Sequence, residues 1–102
     1  MPLRPNSGSA QFRQAWGDII LPQLDRFAPE LLIVSAGFDA HKVDPLAQLN
    51  LETEDFAWIT RELLAIAGRH AKGRLVSALE GGYDLDALAD ATAAHVRELM
   101  RA

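Results

Sequence analysis

The sequence predicts an α/β fold in which three helices alternate with two parallel strands. Two apolar stretches rich in branched residues, 31–37 and 74–82, do not alternate with polar residues. That pattern is typical of parallel strands covered on both faces. The segments before, between and after them carry apolar residues at three- and four-residue steps, which is the helical period. Strands joined through helices form a parallel sheet with right-handed crossovers.

The first helix is predicted over about residues 10–27, with Ser9 as its N-terminal cap. One face of this helix is apolar. Its members are Phe12, Trp16, Ile19, Ile20, Leu24 and Phe27. Pro22 lies inside the pattern and lacks a backbone N–H, so we expect a kink or a break there.

The second helix is predicted over about residues 54–70 with Thr53 as cap, and the third begins at Asp84 or Asp86. The inward residues of the second helix are Phe56, Ile59, Leu63, Leu64 and Ile66. Those of the third helix are Leu85, Leu88, Thr92, Val96 and Leu99. Two buried parallel strands alone would leave open backbone groups at both edges. The pattern therefore indicates a slice of a larger sheet.

Composition excludes several classes of protein. The chain has 102 residues, 49% of them apolar and 24% charged, which suits one small globular domain. A net charge of −4 without a basic run disfavours direct nucleic-acid binding. Without cysteine there is no disulfide or thiolate metal site, so zinc would need His, Asp or Glu ligands. No apolar run reaches the roughly 18 residues of a membrane span, and no secretory signal is seen, so we expect a cytoplasmic protein.

The segment GFDAHKVDPL follows the first strand, where ligands of α/β sheets bind. Asp39 and His41 are two residues apart and could bind a metal together. Alternatively, Asp39 caps a turn and His41 is a surface residue. Asp44 and Pro45 are typical of a turn. Leu46 packs in the core or lines a pocket wall.

The segment EGGYD follows the second strand and would flank the same crevice. Gly81 and Gly82 permit backbone angles that other residues avoid. Tyr83 could then aim its hydroxyl into the crevice as a hydrogen-bond donor to an oxyanion. Alternatively, the segment is an ordinary strand-to-helix turn whose tyrosine packs on the helix. His70 and His95 lie on helices, and we expect both to be structural.

The segments PELLIVSAGFDAHKVDPLAQLNL and GRLVSALEGGYDLDAL together resemble the C-terminal part of zinc-dependent histone deacetylase family enzymes. The resemblance is closest to the class II branch and to bacterial acetylpolyamine amidohydrolases and acetoin-utilisation-type proteins. It implies that residues 1–102 form a single partial domain. That domain would be a helix-strand-helix-strand-helix slice of the three-layer, parallel-sheet arginase/deacetylase fold.

By the same resemblance, Asp39 is implied to be a zinc ligand, and His41 matches none of the metal ligands. Tyr83 is implied to polarise the substrate carbonyl and to stabilise the oxyanion. The positions matched to the substrate tunnel are Pro45, Leu46, Gly81 and Gly82. The substrates implied are acetyl-lysine or acetyl-polyamine-type amides.

The family's other two zinc ligands and its His-His pair belong to an earlier segment that these residues do not contain. Because a catalytic zinc normally takes three protein ligands, we expect the chain alone to be inactive and to retain no zinc. Its partner would be the N-terminal part of the catalytic domain. Alternatively, the chain is a non-catalytic module that self-associates through its exposed sheet edges, or a small-ligand module that uses the crevice.

Overall fold

The computed structural model of the chain describes residues 4, 6–38, 41 and 51–101. The helical and strand segments are, in order, α1 (Ser9–Ala15), a π-helical segment (Trp16–Ile20), α2 (Leu21–Phe27), β1 (Leu32–Gly37), α3 (Thr53–His70), β2 (Leu75–Gly81) and α4 (Leu85–Met100). The predicted order of helices and strands is therefore confirmed. Among the described residues, no helix is both long and apolar enough to cross a membrane.

The first helix begins one residue earlier than predicted. Gly8 is the N-terminal cap, and its backbone N–H donates to Gln11 Oε1 at 2.9 Å. Ser9 is already helical and does not cap; its hydroxyl instead donates to Asp55 Oδ2 in α3. The predicted Ser9 cap is wrong because a long-range partner takes that hydroxyl.

Pro22 does not break the helix. The π-helical segment lies just before it, and the backbone N–H of Leu21 bonds to Trp16 O, five residues back. A proline in an α-helix clashes with the carbonyl four residues before it. A wider turn at this point relieves that clash, so the helix continues to Phe27.

The two strands are parallel, as predicted. The register pairs Leu32 with Leu75 and continues in step until Ala36, after which it shifts so that Gly37 opposes Gly81. Leu32 begins the pairing by donating its N–H to Arg74 O at 3.1 Å. Because the strands run in one direction, their carboxyl ends meet at the same edge of the sheet.

The helices cover one face of this sheet. Leu32, Val34 and Ala36 point from β1 toward α3 and α4, and they join two apolar clusters. The buried members of these clusters are Leu21, Leu32, Leu63, Ile66, Ala67 and Ala71 in one, and Ala36, Phe38, Leu51, Phe56 and Ala91 in the other. This arrangement confirms most of the inward face predicted for α3.

The opposite face of the sheet is bare within the described chain. Ile33 is 71% exposed on β1, and Val76 is 54% exposed on β2. The prediction that both faces are buried is therefore wrong for this chain taken alone. Strand residues alternate between faces, and the described helices pack on only one of them.

The stripe predicted for α4 is correct only in part: Leu88 packs on the second apolar cluster, but two other members of the stripe are exposed. The residues that α4 buries are Ala87, Ala91, His95 and Glu98. Leu85 is 79% exposed and Val96 is 42% exposed. Helix α4 packs on α3 through the face that carries Ala87 and Ala91, and the side chains of Leu85 and Val96 lie off that face. On the first helix, Ile19 and Phe27 are likewise exposed rather than inward.

Candidate functional site at the carboxyl edge of the sheet

The segments that follow the two strands start side by side. Gly37 pairs with Gly81, and Phe38 donates its backbone N–H to Gly81 O at 2.9 Å. This contact carries the pairing past the end of β1, up to the residue before Asp39. Asp39 itself, like Pro45 and Leu46, lies outside the described residues, so its metal role and their tunnel roles remain predictions.

Gly82 adopts a backbone conformation in which any other residue would be strained. Its φ is +133°, in a region that L side chains rarely adopt. A Cβ built on Gly82 would lie 2.9 Å from Leu88 Cδ1 and 3.5 Å from Phe38 Cβ. Gly82 therefore lets the chain pass between Phe38 and α4. The tunnel roles of Gly81 and Gly82 remain predictions.

The residues on both sides of Tyr83 constrain its backbone position. Gly82 precedes it, and Asp84 follows it as the cap of α4, where Asp84 Oδ1 accepts from the Ala87 N–H at 2.9 Å. The Tyr83 side chain is 59% exposed at the carboxyl edge of the sheet. This exposure does not support the alternative in which the tyrosine is a packing residue of α4.

His41 is buried, with 7% of its surface exposed. Its Nε2 lies 3.0 Å from Thr53 Oγ1, and its ring stacks parallel to Phe56 with centroids 6.3 Å apart. Its backbone forms an isolated parallel bridge with Leu51. The surface alternative for His41 is therefore wrong, and Nε2 faces a hydroxyl. The Thr53 partner could not be foreseen, because it lies beyond a long intervening segment.

His95 lies between α3 and β2. Thr60 donates its hydroxyl proton to Phe56 O at 2.6 Å, so it accepts from His95 Nδ1–H at 2.7 Å. His95 Nε2 then accepts from the Ser77 hydroxyl at 2.8 Å. Burial lowers the pKa of His95 below its ordinary value of 6.5. Both ring nitrogens have hydrogen-bond partners, as the predicted structural role requires.

Asp55 is a buried carboxylate that the sequence reasoning missed. It is 1% exposed and accepts from Ser9, from Arg13 Nε at 3.0 Å and from the Glu52 N–H at 2.8 Å. It caps α3 and ties α1 to it. An acidic residue in the first turn of a predicted helix is a known capping signal, and it could have revealed this role.

Two further polar clusters hold helices together away from this edge. His70 donates to Asp25 Oδ1 at 2.8 Å and Arg69 does so at 2.9 Å, which ties α2 to the end of α3. The hydrogen bond from His70, with that from Arg69, lowers the pKa of Asp25 below 3.8. Arg61 donates to Glu54 at 2.8 Å and to Glu98 at 3.0 Å. The hydrogen bond to Glu54 raises the pKa of Arg61 above its ordinary value, and Glu98 adds to the effect.

Metal ligands do not converge in the part of the chain that the structure describes. Across residues 6–38, 41 and 51–101, no three His, Cys, Asp or Glu side chains come together. A catalytic zinc normally takes three protein ligands. The described residues therefore do not fit a zinc centre by themselves.

Comparisons with known proteins point to one family. The family model of the histone deacetylase domain matches residues 1–99. The chain is 48% identical over 99 residues to type-2 histone deacetylase 1 of Dictyostelium discoideum, covering 97% of this chain and 7% of that protein. It is 47% identical over 83 residues to the histone deacetylase-like amidohydrolase of Pseudomonas aeruginosa, covering 81% of this chain and 22% of that protein.

A solved structure has the same arrangement of helices and strands. The histone deacetylase Clr3 matches with a TM-score of 0.88 at 31% identity, over 96% of this chain and 16% of that chain. The match confirms the predicted fold class, a slice of the arginase/deacetylase fold. The chain thus spans well under a third of the length of each relative described here.

Proposed function

The chain belongs to the histone deacetylase family, and we propose that it is the C-terminal part of a zinc-dependent deacetylase domain. In the proposed whole domain, Tyr83 contacts the substrate and Asp39 is one of the metal ligands. The substrates would be acetyl-lysine or acetyl-polyamine-type amides. The chain's relatives include a histone deacetylase and a deacetylase-like amidohydrolase, which supports hydrolysis of an amide.

The observation that carries this proposal is the backbone contact between the two strand ends. Phe38 donates its backbone N–H to Gly81 O at 2.9 Å. The chain segments that follow the two strands, one of which carries Tyr83, therefore leave the sheet side by side. Ligands of α/β sheets bind at this edge. The proposal requires one amide carbonyl to be within reach of both the Tyr83 hydroxyl and the metal that Asp39 would help to hold.

Tyr83 would act as a hydrogen-bond donor. Its phenol O–H would donate to the carbonyl oxygen of the bound amide, and the bond would strengthen as negative charge develops on that oxygen. A donor placed this way contributes about 10²–10³ in kcat. The fixed backbone on both sides of Tyr83 supports a donor that need not reorganise during the reaction.

The proposed activity is not that of the chain alone. Zinc would supply Lewis-acid activation of water only in a complete site, and the described residues do not complete one. We therefore expect the isolated chain to be inactive and to hold no zinc. The proposed partner is the remainder of a deacetylase domain, which would contribute the other ligands and the proton-transfer groups.

A chimaera tests this proposal. The segment of the Pseudomonas aeruginosa amidohydrolase that matches this chain is replaced by the chain, and hydrolysis of an acetyl-lysine peptide and of an acetylated polyamine is measured with bound zinc. We expect activity in the chimaera, a loss of about 10²–10³ in kcat with zinc retained for Tyr83→Phe, and loss of zinc for Asp39→Asn. A zinc-loaded, folded chimaera whose activity is unchanged by Tyr83→Phe would refute the role of Tyr83.

A second candidate is a non-catalytic module that associates through its sheet. The exposed Ile33 and Val76 side chains favour it, because bare sheet faces promote association. Sedimentation of the chain alone tests it. A stable dimer without zinc uptake, together with an inactive chimaera, would favour this module over the deacetylase.

A further inference from the structure

The ring of Phe38 is buried at the carboxyl edge of the sheet, against two other rings. Phe38 is 4% exposed. The Phe56 ring meets it edge-on with centroids 5.2 Å apart, and the His95 imidazole meets it edge-on with centroids 5.8 Å apart. Aromatic rings at such separations attract each other in a preferred geometry. Phe38 is therefore held by one ring from α3 and by another from α4.

One hydroxyl joins the two rings that hold Phe38. Thr60 is 2% exposed; it donates to Phe56 O at 2.6 Å and accepts from His95 Nδ1–H at 2.7 Å. Ser77 donates to His95 Nε2 at 2.8 Å. Because hydrogen bonds are directional, two of them at opposite sides of the imidazole fix its orientation. The ring that His95 presents to Phe38 is therefore set by α3 and β2 together.

Phe38 in turn contacts the segment that leads to Tyr83. Its backbone N–H donates to Gly81 O at 2.9 Å. Its Cβ lies 3.5 Å from the point that a Cβ on Gly82 would occupy. Close-packed interiors transmit small displacements from one group to the next. A shift of Phe38 would therefore move the backbone from which the Tyr83 side chain starts.

From these contacts we propose that His95 is a positioning residue, which holds the backbone of Tyr83 in place through Phe38. This inference rests on the proposed function, in which Tyr83 donates a hydrogen bond to the substrate carbonyl. A misplacement of about 1 Å in a reacting group can cost about 10²-fold in rate. Because that hydrogen bond strengthens in the transition state, a loosened Phe38 lowers kcat and leaves KM almost unchanged.

The amide of Tyr83 offers a direct readout, because Tyr83 is the one tyrosine of the chain. Labelling with ¹⁵N-tyrosine gives a single amide resonance, which is recorded for the wild type and three variants. His95→Leu removes the imidazole, and Thr60→Val removes the joining hydroxyl and keeps the shape. Ile66→Ala is the control: Ile66 is 2% exposed in the other apolar cluster, so this variant loses core packing without changing the contacts of Phe38.

We expect the Tyr83 resonance to shift or broaden in His95→Leu and Thr60→Val and to stay in place in Ile66→Ala, although all three variants unfold at lower urea concentration. In the chimaera described above, His95→Leu and Thr60→Val should lower kcat per zinc-loaded molecule about tenfold or more, with KM within about twofold of the wild type. Ile66→Ala should leave both constants unchanged.

An unmoved resonance in His95→Leu and Thr60→Val would overturn the proposal, and so would a kcat equal to that of the wild type. Equal effects of all three variants would also overturn it, because they would reflect a general loss of stability and not a link from His95 to Tyr83.

This test is separate from that of the proposed function. A resonance that moves in both variants, together with an inactive wild-type chimaera, would keep the link from His95 to Tyr83 and refute the deacetylase activity. An active wild-type chimaera whose kcat does not respond to His95→Leu would do the reverse.

Discussion

Thr60 Oγ1 lies 2.7 Å from His95 Nδ1, in the buried space between α3 and α4. Through the other ring nitrogen, Ser77 joins the same network from β2 at 2.8 Å. The ring also meets Phe38 edge-on, with centroids 5.8 Å apart. Three elements of the fold are thus held by one neutral imidazole, and among the described residues no carboxylate is within hydrogen-bond distance of its nitrogens.

We predict that acid destabilises the chain through His95. Burial lowers the pKa of His95 in the folded state below 6.5, so near that pH the unfolded chain binds more protons than the folded chain. The free energy of unfolding is therefore fully retained above pH 6.5 and falls as the pH drops through the lower folded pKa. Urea unfolding at about pH 7.5 and about pH 5.5 measures the loss. His95→Gln should reduce the difference between these two values; an unchanged difference would contradict the prediction.

Asp55→Ala should lower the free energy of unfolding by about 3 kcal/mol, because it leaves Ser9, Arg13 and the Glu52 N–H without their buried acceptor. Glu54→Ala is the matched control, since Glu54 is an exposed acidic residue of the same helix turn that pairs with Arg61. Its loss should cost less than about 1 kcal/mol. Thermal or urea unfolding measures both, and equal losses would contradict the role given to Asp55.

Gly82→Ala should destabilise the chain by about 1–3 kcal/mol, because a Cβ at a φ of +133° would also lie 2.9 Å from Leu88 Cδ1. Gly68→Ala is the control. Gly68 is inside α3 with nothing within 4 Å of an added Cβ, so alanine there should stabilise the helix by about 0.5–1 kcal/mol. Unfolding curves of the two variants should thus shift in opposite directions.

Thr92→Val should stabilise the chain by about 1 kcal/mol. Thr92 Oγ1 is buried on α4 and finds no hydrogen-bond partner among the described residues. Valine has the same shape without the hydroxyl, so the cost of burying an unpaired polar atom is removed. Thr92→Ser keeps the hydroxyl and loses the methyl group, and it should not stabilise. A loss of stability in Thr92→Val would reveal a partner for the hydroxyl.

The sequence predicted what depends on neighbouring residues. The apolar runs located β1 and β2 to within one or two residues, and the capping role of Asp84 was one of two stated choices. The meeting of the two strand ends followed from parallel pairing alone. These features have local signals: apolar runs, periodicity and a capping residue.

The sequence did not predict features that depend on distant residues. Nothing near Asp55 indicates its bond to Ser9, which is 46 positions away. The apolar character of Ile33 and Leu85 predicts burial, yet both are exposed in this chain. The π-helical segment does have a signal in the sequence, the spacing of four that runs from Phe12 to Leu24.

The π-helical segment also affects how relatives should be aligned with this chain. A π turn accommodates one residue more than an α turn without rotating the helix on either side of it. A relative with one residue fewer can keep both flanking faces by forming a plain α-helix. The gap in such an alignment therefore belongs within Trp16–Ile20. A gap placed before Phe12 or after Leu24 would match their side chains to positions on the wrong face.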